Sequence, residues 1–406
     1  VANEFSIAQD IKVEMYLPVA GKGVWNFSKW GGTGVDDWVS TSGDAFAWTD
    51  VVATISQARI TQGSSIDQGY YAPAQPNTLE LQMQSATYDP SSNTYIRPGL
   101  QIKVSYRRNP DTAPSTYTTL FQGFIDDFNI TYDALGNNLI DITASSSLKR
   151  MLNKNLTSWV SPASPLNSPN DFFNEWVVDV GADPASAWTS SYQVVGSMEP
   201  ETITNVTGGE ILDWLMQAEA AIVYQDPTNN RVNGYTAKYF RNLLTSTPSN
   251  QLGGTHAISE THFCIADLEL AYNLDEAFNT FICTCDSNAA RTGSKKNQDL
   301  VDLYGELVLD KVLHIAQSTA TVDNVQMWLD FMAARNPGRR VNSVQTPAIR
   351  RDGTLANISV LQPALAVRTI AARGSYTVDE NSIITRATHQ IDPNNWFVTL
   401  DLWKGL

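Results

Sequence analysis

Two stretches of this chain follow one plan, and a chain built that way is committed to β-sheet in both places. Residues 119–144, TLFQGFIDDFNITYDALGNNLIDITA, read as an apolar strand, a polar Gly/Asn turn and a second strand. Residues 382–403, SIITRATHQIDPNNWFVTLDLW, repeat the plan around an Asp-Pro-Asn-Asn turn. In the first hairpin Phe121, Gly123 and Ile125 share one parity, and Phe128, Ile130 and Tyr132 share the other. Successive side chains of a strand point to opposite faces, so the change at Asp126-Asp127 predicts a β-bulge that restores the inward face. In the second hairpin Trp396, Val398, Leu400 and Leu402 fall on one face, with Thr399 and Asp401 on the other. Trp403 is left on that second face, where the expectation is a contact between subunits.

The rest of the chain sorts around these hairpins into three modules, 1–152, 153–262 and 263–406. In the first, Leu79, Leu81 and Met83 alternate with Glu80 and Gln82, and Ile102, Val104 and Tyr106 alternate with Gln101, Lys103 and Ser105, the pattern of half-buried strands. The connection YDPSSNTYIRPG carries Pro90, Pro98 and Gly99 as breakers, and SSSLKRML closes the module as a short helix or turn. A Ser/Pro/Asn-rich connection, 153–170, leads into an α+β module. There SPNDFFNEWVVDVG predicts a helix starting near Ser168 or Asn170. TGGEILDWLMQAEAAIV predicts another, with Thr207 and Glu210 at capping-box spacing and Ile211, Leu212, Leu215 and Met216 as its apolar face. A hairpin through Asp226–Asn230 follows. In the third module strands are expected near 263–270 and 278–285, a loop over SNAARTGSKKNQDL, and a helix from Thr321 to the Asn336-Pro337-Gly338 stop, with Val325, Trp328, Leu329 and Met332 as its packing stripe.

Composition limits what such a chain can do. With 406 residues and 42% hydrophobic content it can bury substantial cores, so it is not a disordered protein. Charged residues are only 17%, leaving a Ser/Thr/Asn/Gln-rich surface of the kind that neighbours cover. A formal charge of −15 opposes binding along a polyanion, because no basic stripe exists to release counterions from phosphates. An acidic wall suits DNA that must pass without sticking, repelling it across a Debye length of about 8–10 Å. The N-terminus VANEFSIAQD lacks the basic-then-apolar order of a secretory signal, and no long apolar run is present, so the expectation is neither secretion by that route nor a membrane anchor.

Candidate chemistry is sparse. No G-x-S-x-G, H-E-x-x-H, P-loop or G-x-G-x-x-G occurs. Asp126/Asp127 and Asp36/Asp37 are the obvious carboxylate pairs, but glycoside hydrolysis needs two carboxylates ~5–9.5 Å apart across a cleft, which adjacent strand residues do not guarantee. Cys264, Cys283 and Cys285 make an odd set. Cys283 and Cys285 fall on one strand face as buried thiols, and together with His256 and His262 they match no standard zinc spacing. Structural roles are expected for His256, His262, His314 and His389. The reading is therefore no catalytic residue, no cofactor and no metal. The segment 24–48, with Trp25, Trp30, Trp38 and Trp48 around a Gly-rich turn, is expected to pack on its own module first, to contact another subunit second and to bind carbohydrate third.

Taken in order, PNTLELQMQSATYDPSSNTYIRPGLQIKVSYRR, TLFQGFIDDFNITYD and ITASSSLKRML resemble the N-terminal half of the minor tail proteins that form the tail-tip (baseplate) hub of long-tailed bacteriophages. The matching positions are Tyr88 and Pro90; Ile96, Pro98 and Gly99; Phe121, Gly123, Ile125 and Asp126; and Leu148 to Leu152. GGEILDWLMQAEAAIVYQDPTNNRVNGY and HQIDPNNWFVTLDLW are similar to that family's middle helix with hairpin and to its final hairpin. The resemblance implies an α+β, mainly β fold with two β-barrel-like, tail-tube-type domains and an α+β middle module. It implies a homotrimer forming a pseudo-hexameric ring in the virion, assembled in the host cytoplasm. Its partners would be a distal tail protein, a tape measure protein and other tail-tip proteins, with DNA passing through the lumen unbound. The competing expectations are a hexameric distal tail protein, against which two similar modules per chain count, and a carbohydrate-binding or cell-wall-degrading tail protein.

Overall fold

The computed structural model describes residues 11–18, 22–23, 37–38, 46–65, 72–93, 95–107, 117–162, 168–189, 197–199, 202–245, 258–260, 264–271, 278–285, 288–315, 340–348, 361–373 and 376–403. The fold is mainly β with few helices, and it divides into two compact units. Unit 1 comprises 1–61, 77–147 and 389–396; unit 2 comprises 62–76, 148–388 and 397–406. Of the expectations above, the helix Thr321–Gly338, Trp25 and Trp30, Asp36, His256 and His262 lie outside the described residues, and for Asp37, Trp38 and Cys285 only the backbone is described.

Unit 1 is built mainly of one antiparallel sheet, beside a short parallel pair of Lys22–Gly23 with Asp37–Trp38. The sheet's strands are β1 (Ile11–Pro18), β2 (Phe46–Asp50), β3 (Ile55–Gly63, shared with unit 2 at its end), β4 (Thr78–Met83), β5 (Gln101–Tyr106), β6 (Thr118–Tyr132) and β7 (Asn138–Ser145). They lie in the order β2-β1-β5-β6-β7-β4-β3. The alternation read from sequence is the alternation of burial: Leu79, Leu81 and Met83, Ile102 and Val104, and Ile140 and Ile142 are buried, while Glu80, Gln82, Lys103 and Asp141 are more exposed; it breaks at Ser105, which is buried where the β5–β6 register shifts. The predicted bulge is present, as the β6–β7 register shifts between Ile125 and Asp127. Gly123 is required by a close approach. A Cβ there would lie 2.3 Å from the Ser145 carbonyl oxygen.

Unit 2 opens with α1 (Leu148–Leu152), β8 (Asn155–Val160) and α2 (Pro169–Val180). Ser168 caps α2 in a capping box with Asp171, Pro169 begins the helix, and Gly181 ends it at φ 74°. β9 (Ala187–Trp188) and β10 (Thr202–Thr207) precede α3 (Gly208–Glu219), where Thr207 and Glu210 form the expected box. β11 (Ile222–Gln225) and β12 (Val232–Tyr235) are the expected hairpin, followed by α4 (Ala237–Thr245). These elements close on a core of Trp159, Phe172, Phe173, Trp176, Trp188, Leu212 and Met216. Trp176 Nε1 donates to the Gly208 carbonyl at 2.7 Å, so the largest side chain of α2 is buried without an orphaned donor.

Beyond them lie β13 (Ile258–Ser259), β14 (Asp267–Ala271), β15 (Thr280–Cys285), β16 (Asn288–Lys296), α5 (Gln298–Tyr304), β17 (Val308–Leu313), β18 (Arg340–Pro347), β19 (Ala366–Arg373), β20 (Tyr376–Ile391) and β21 (Trp396–Trp403). One sheet orders β14-β18-β21-β20, with β19 on β20 and β13 on β19; another orders β16-β15-β17. Two expectations are corrected here. The expected loop at 287–300 is the edge strand β16 followed by α5, whose first turn is capped by Asn297 accepting from the Leu300 amide. Its Gly, Ser and Lys content, which reads as loop, also suits an exposed sheet edge. Trp403, expected at a subunit contact, is buried in unit 2 with its ring edge-on to Phe240, centroids 6.3 Å apart.

Candidate functional site

The sequence echo is the end of a larger structural one. In unit 1 the successive strands β3, β4, β5, β6 and β7 are ordered β3-β4-β7-β6-β5 in the sheet. In chain order β14, β18, β19, β20 and β21 are arranged in the same way, β14-β18-β21-β20-β19, again with antiparallel neighbours. The equivalence reaches single hydrogen bonds. Gly99 donates to the Ile125 carbonyl at 2.7 Å and Ile125 to that of Leu100 at 2.8 Å. Ala364 likewise donates to the Ile384 carbonyl at 2.8 Å and Ile384 to that of Leu365 at 2.9 Å. Both turns use a left-handed residue, Gly99 at φ 92° and Ala364 at φ 65°. The segments themselves are alike, Ile96-Arg97-Pro98-Gly99-Leu100 and Leu361-Gln362-Pro363-Ala364-Leu365. That second signal was legible in the sequence and was missed, because Ala hides a left-handed position that Gly advertises.

Each repeat buries one sheet face and turns a polar, acidic face outward. In unit 1 the cross-strand rows are Arg59, Glu80, Thr143 and Asp127, then Gln57, Gln82, Asp141 and Asn129. Gln82 Nε2 donates to Asp141 Oδ1 at 2.9 Å, and Arg59 lies 3.7 Å from Glu80. In unit 2 the rows are Asp267, Gln345 and Thr399, then Glu269, Ser343 and Asp401. Ser343 Oγ donates to Glu269 at 3.0 Å, and Arg386 holds Asp401 at 2.5 Å. Burial nonetheless pushes the Asp401 carboxyl above its ordinary range, with Arg386 opposing that shift and Glu269 adding to it. Each face thus sets three carboxylates against one arginine among the residues named. A field of this sign repels polyanions.

Asp126, in the bulge, accepts from Ser145 Oγ at 2.5 Å, and Asp127 stands exposed beside it. The Tyr88/Pro90 turn is held by the residue between them. Asp89 accepts from Ser91 Oγ at 2.7 Å, Asn138 Nδ2 at 2.9 Å and Tyr132 OH at 2.7 Å, and these donors keep its carboxyl far below the usual carboxylate range. His389 is buried and accepts from Trp396 Nε1 at 3.3 Å; burial pushes its pKa down to about 3. His314 is buried in unit 2, stacked on Trp214 at 4.7 Å. Cys283 is buried and Cys264 exposed. Trp48 packs within unit 1, tilted on Tyr16 with Lys103 Nζ 4.4 Å from its ring centre. Among the described residues no three His, Cys, Asp or Glu side chains are grouped as metal ligands, and no helix is long and apolar enough to cross a membrane.

No protein-family model matches the chain, and neither does any curated protein. Solved structures do. The 43 kDa tail protein of prophage MuSo2 from Shewanella oneidensis superposes with a TM-score of 0.53 at 12% identity, over 97% of this chain and 98% of that one. The tail protein from Neisseria meningitidis MC58 superposes with a TM-score of 0.54 at 10% identity, over 97% of this chain and 96% of that one. The chain has the fold of bacteriophage tail proteins along nearly its whole length.

Proposed function

We propose that this chain is a structural hub of a bacteriophage tail tip or baseplate. Three copies form a ring of six similar modules that joins a six-fold tail tube to the tip and surrounds the path of the DNA. The observation that carries the reading is the duplicated five-strand topology in a chain with a tail-protein fold: two modules per chain and three chains match six-fold symmetry. The modules 1–152 and 263–406 supply the ring, and 153–262 is an α+β attachment to it. The acidic sheet faces line the bore, so DNA passes during ejection without being held. The chain is not an enzyme and uses no cofactor; its partners are the distal tail protein, the tape measure protein and other tail-tip proteins of a siphophage-like virion assembled in the host cytoplasm.

A particle-averaged image of the native assembly tests this. Three copies at this chain's position, around a bore with more Asp and Glu than Lys and Arg, are expected. Six copies, one copy, or a bore ringed by Lys and Arg would overturn it.

A further inference from the structure

The two repeats are alike in topology and unlike in exposure, and the difference falls on two strand edges. In β20 the half beyond β19, Ile384–Ile391, is almost wholly buried. Within unit 2 the Thr385 carbonyl accepts from the Ser64 amide, just past the end of β3, at 3.2 Å. Within unit 1 the hairpin tip packs along the start of β3, where Ile55, Ala58, Ile391 and Pro393 line one apolar groove. Counted in opposite directions from Ser64 and Thr385, Ala58 falls level with Ile391 and Ile60 with His389, and all four are buried.

The equivalent half of β6 has no such cover. Past Ile125, whose amide and carbonyl bond to Leu100 and Gly99, no described residue pairs with the outer edge of Asp127–Tyr132. Asp127, Asn129, Thr131 and Tyr132 are exposed, Tyr132 at 52%. The counterpart of β3 in the second repeat, β14, is likewise the end strand of its sheet among the described residues, with Asp267 and Glu269 exposed and Leu268 and Leu270 half-buried. Each repeat therefore carries one half of a junction, and among the described residues one pairing of halves is made within the chain. An open strand edge is a template for another strand.

We infer that β14 of one copy pairs with the Asp127–Tyr132 edge of β6 in the next copy, repeating between chains the packing that β3 and β20 make within one. This rests on the trimeric reading above and names the surface that closes it. The cross-strand alignment of β4 and β18 with β7 and β21 makes Leu268 the counterpart of Ala58, and Tyr132 that of Ile391. Leu268 then meets Tyr132 and Leu270 meets Ile130, on the apolar side. On the solvent side the same register sets Glu269 beside Thr131 and Asp267 beside Asp133, all exposed, so the two aspartates repel across the junction and salt that screens them strengthens it. The contact is head-to-tail, so it builds a ring where the rotation between copies closes and cannot make a two-fold dimer.

The test uses the full chain with Cys264→Ser, carrying Ile130→Cys and Leu270→Cys together or singly. Mass measurement of the reduced protein at low and high salt reads the oligomer, and mild oxidation followed by denaturing electrophoresis reads the junction. A trimer that gains population with salt, and a covalent ladder ending at three chains only in the double variant, are expected. A trimer that forms but does not cross-link overturns the junction and leaves the trimeric reading standing. A monomer at every concentration, or a hexamer, overturns the trimeric reading and the junction with it. Leu270→Lys, with Val312→Lys on the exposed face of β17 as control, guards against a cysteine artefact. The first is expected to lower the trimer population at least tenfold with unchanged circular dichroism, the second to leave it intact; equal effects would overturn the junction.

Discussion

At the scale of single residues, the duplicated turns show how backbone geometry dictates side chain. Gly99 sits at φ 92° with nothing within 4 Å of where a Cβ would stand, so its cost to replacement is conformational alone. Gly99→Ala is expected to destabilise the protein by about 1–2 kcal/mol, read by denaturant unfolding. Ala364 already carries that strain in the second repeat. His389 gives a pH dependence of known sign. Its folded pKa, about 3, lies below the ordinary value, so the unfolded chain takes up a proton that the native chain refuses. Stability contributed by the neutral ring is present above the ordinary value and falls with pH from about 6.5 towards 3, at about 1.4 kcal/mol per pH unit. Unfolding measured at pH 7 and pH 5 is expected to show that loss in the native sequence and not in His389→Leu.

At the scale of elements, the helices of unit 2 are set by their ends and their faces together. Thr207 accepts from the Glu210 amide at 3.2 Å while Glu210 accepts from the Thr207 amide at 2.7 Å, satisfying two donors that the helix itself cannot. Thr207→Ala is expected to cost about 1 kcal/mol, measured by chemical denaturation. The face of α3 that this cap orients, Ile211, Leu212, Leu215 and Met216, is buried as its spacing predicts. β16 obeyed a different rule. Its polar residues are compatible with a loop or an exposed edge, and only pairing to β15 decides between them.

At the scale of the whole molecule, the C-terminal hairpin belongs to both units: its tip, His389–Trp396, is part of unit 1 and the rest of β20 and β21 part of unit 2. Trp396 is buried with its ring edge-on to Tyr106, centroids 5.8 Å apart. Trp396→Ala is expected to cost about 3–5 kcal/mol. Faster hydrogen exchange in β1 and β5, more than two hundred residues away in sequence, is the measurement that detects it; protection unchanged in those strands would refute the coupling.

The sequence by itself determined what depends on neighbours along the chain: the alternation of β4, β5 and β7, the bulge at Asp126, the caps at Ser168 and Thr207, and the likeness of two hairpins. Side-chain period and capping chemistry act within a few residues, so they are written locally. The tertiary structure alone decided that Trp403 is a core residue, that residues 288–296 form a strand, and that Asp89 joins a turn to a hairpin more than forty residues on. It also revealed that the hairpin echo extends to five strands. Those outcomes depend on which distant strand or ring fills the other side, and burial between segments far apart in sequence leaves no periodic mark in either one.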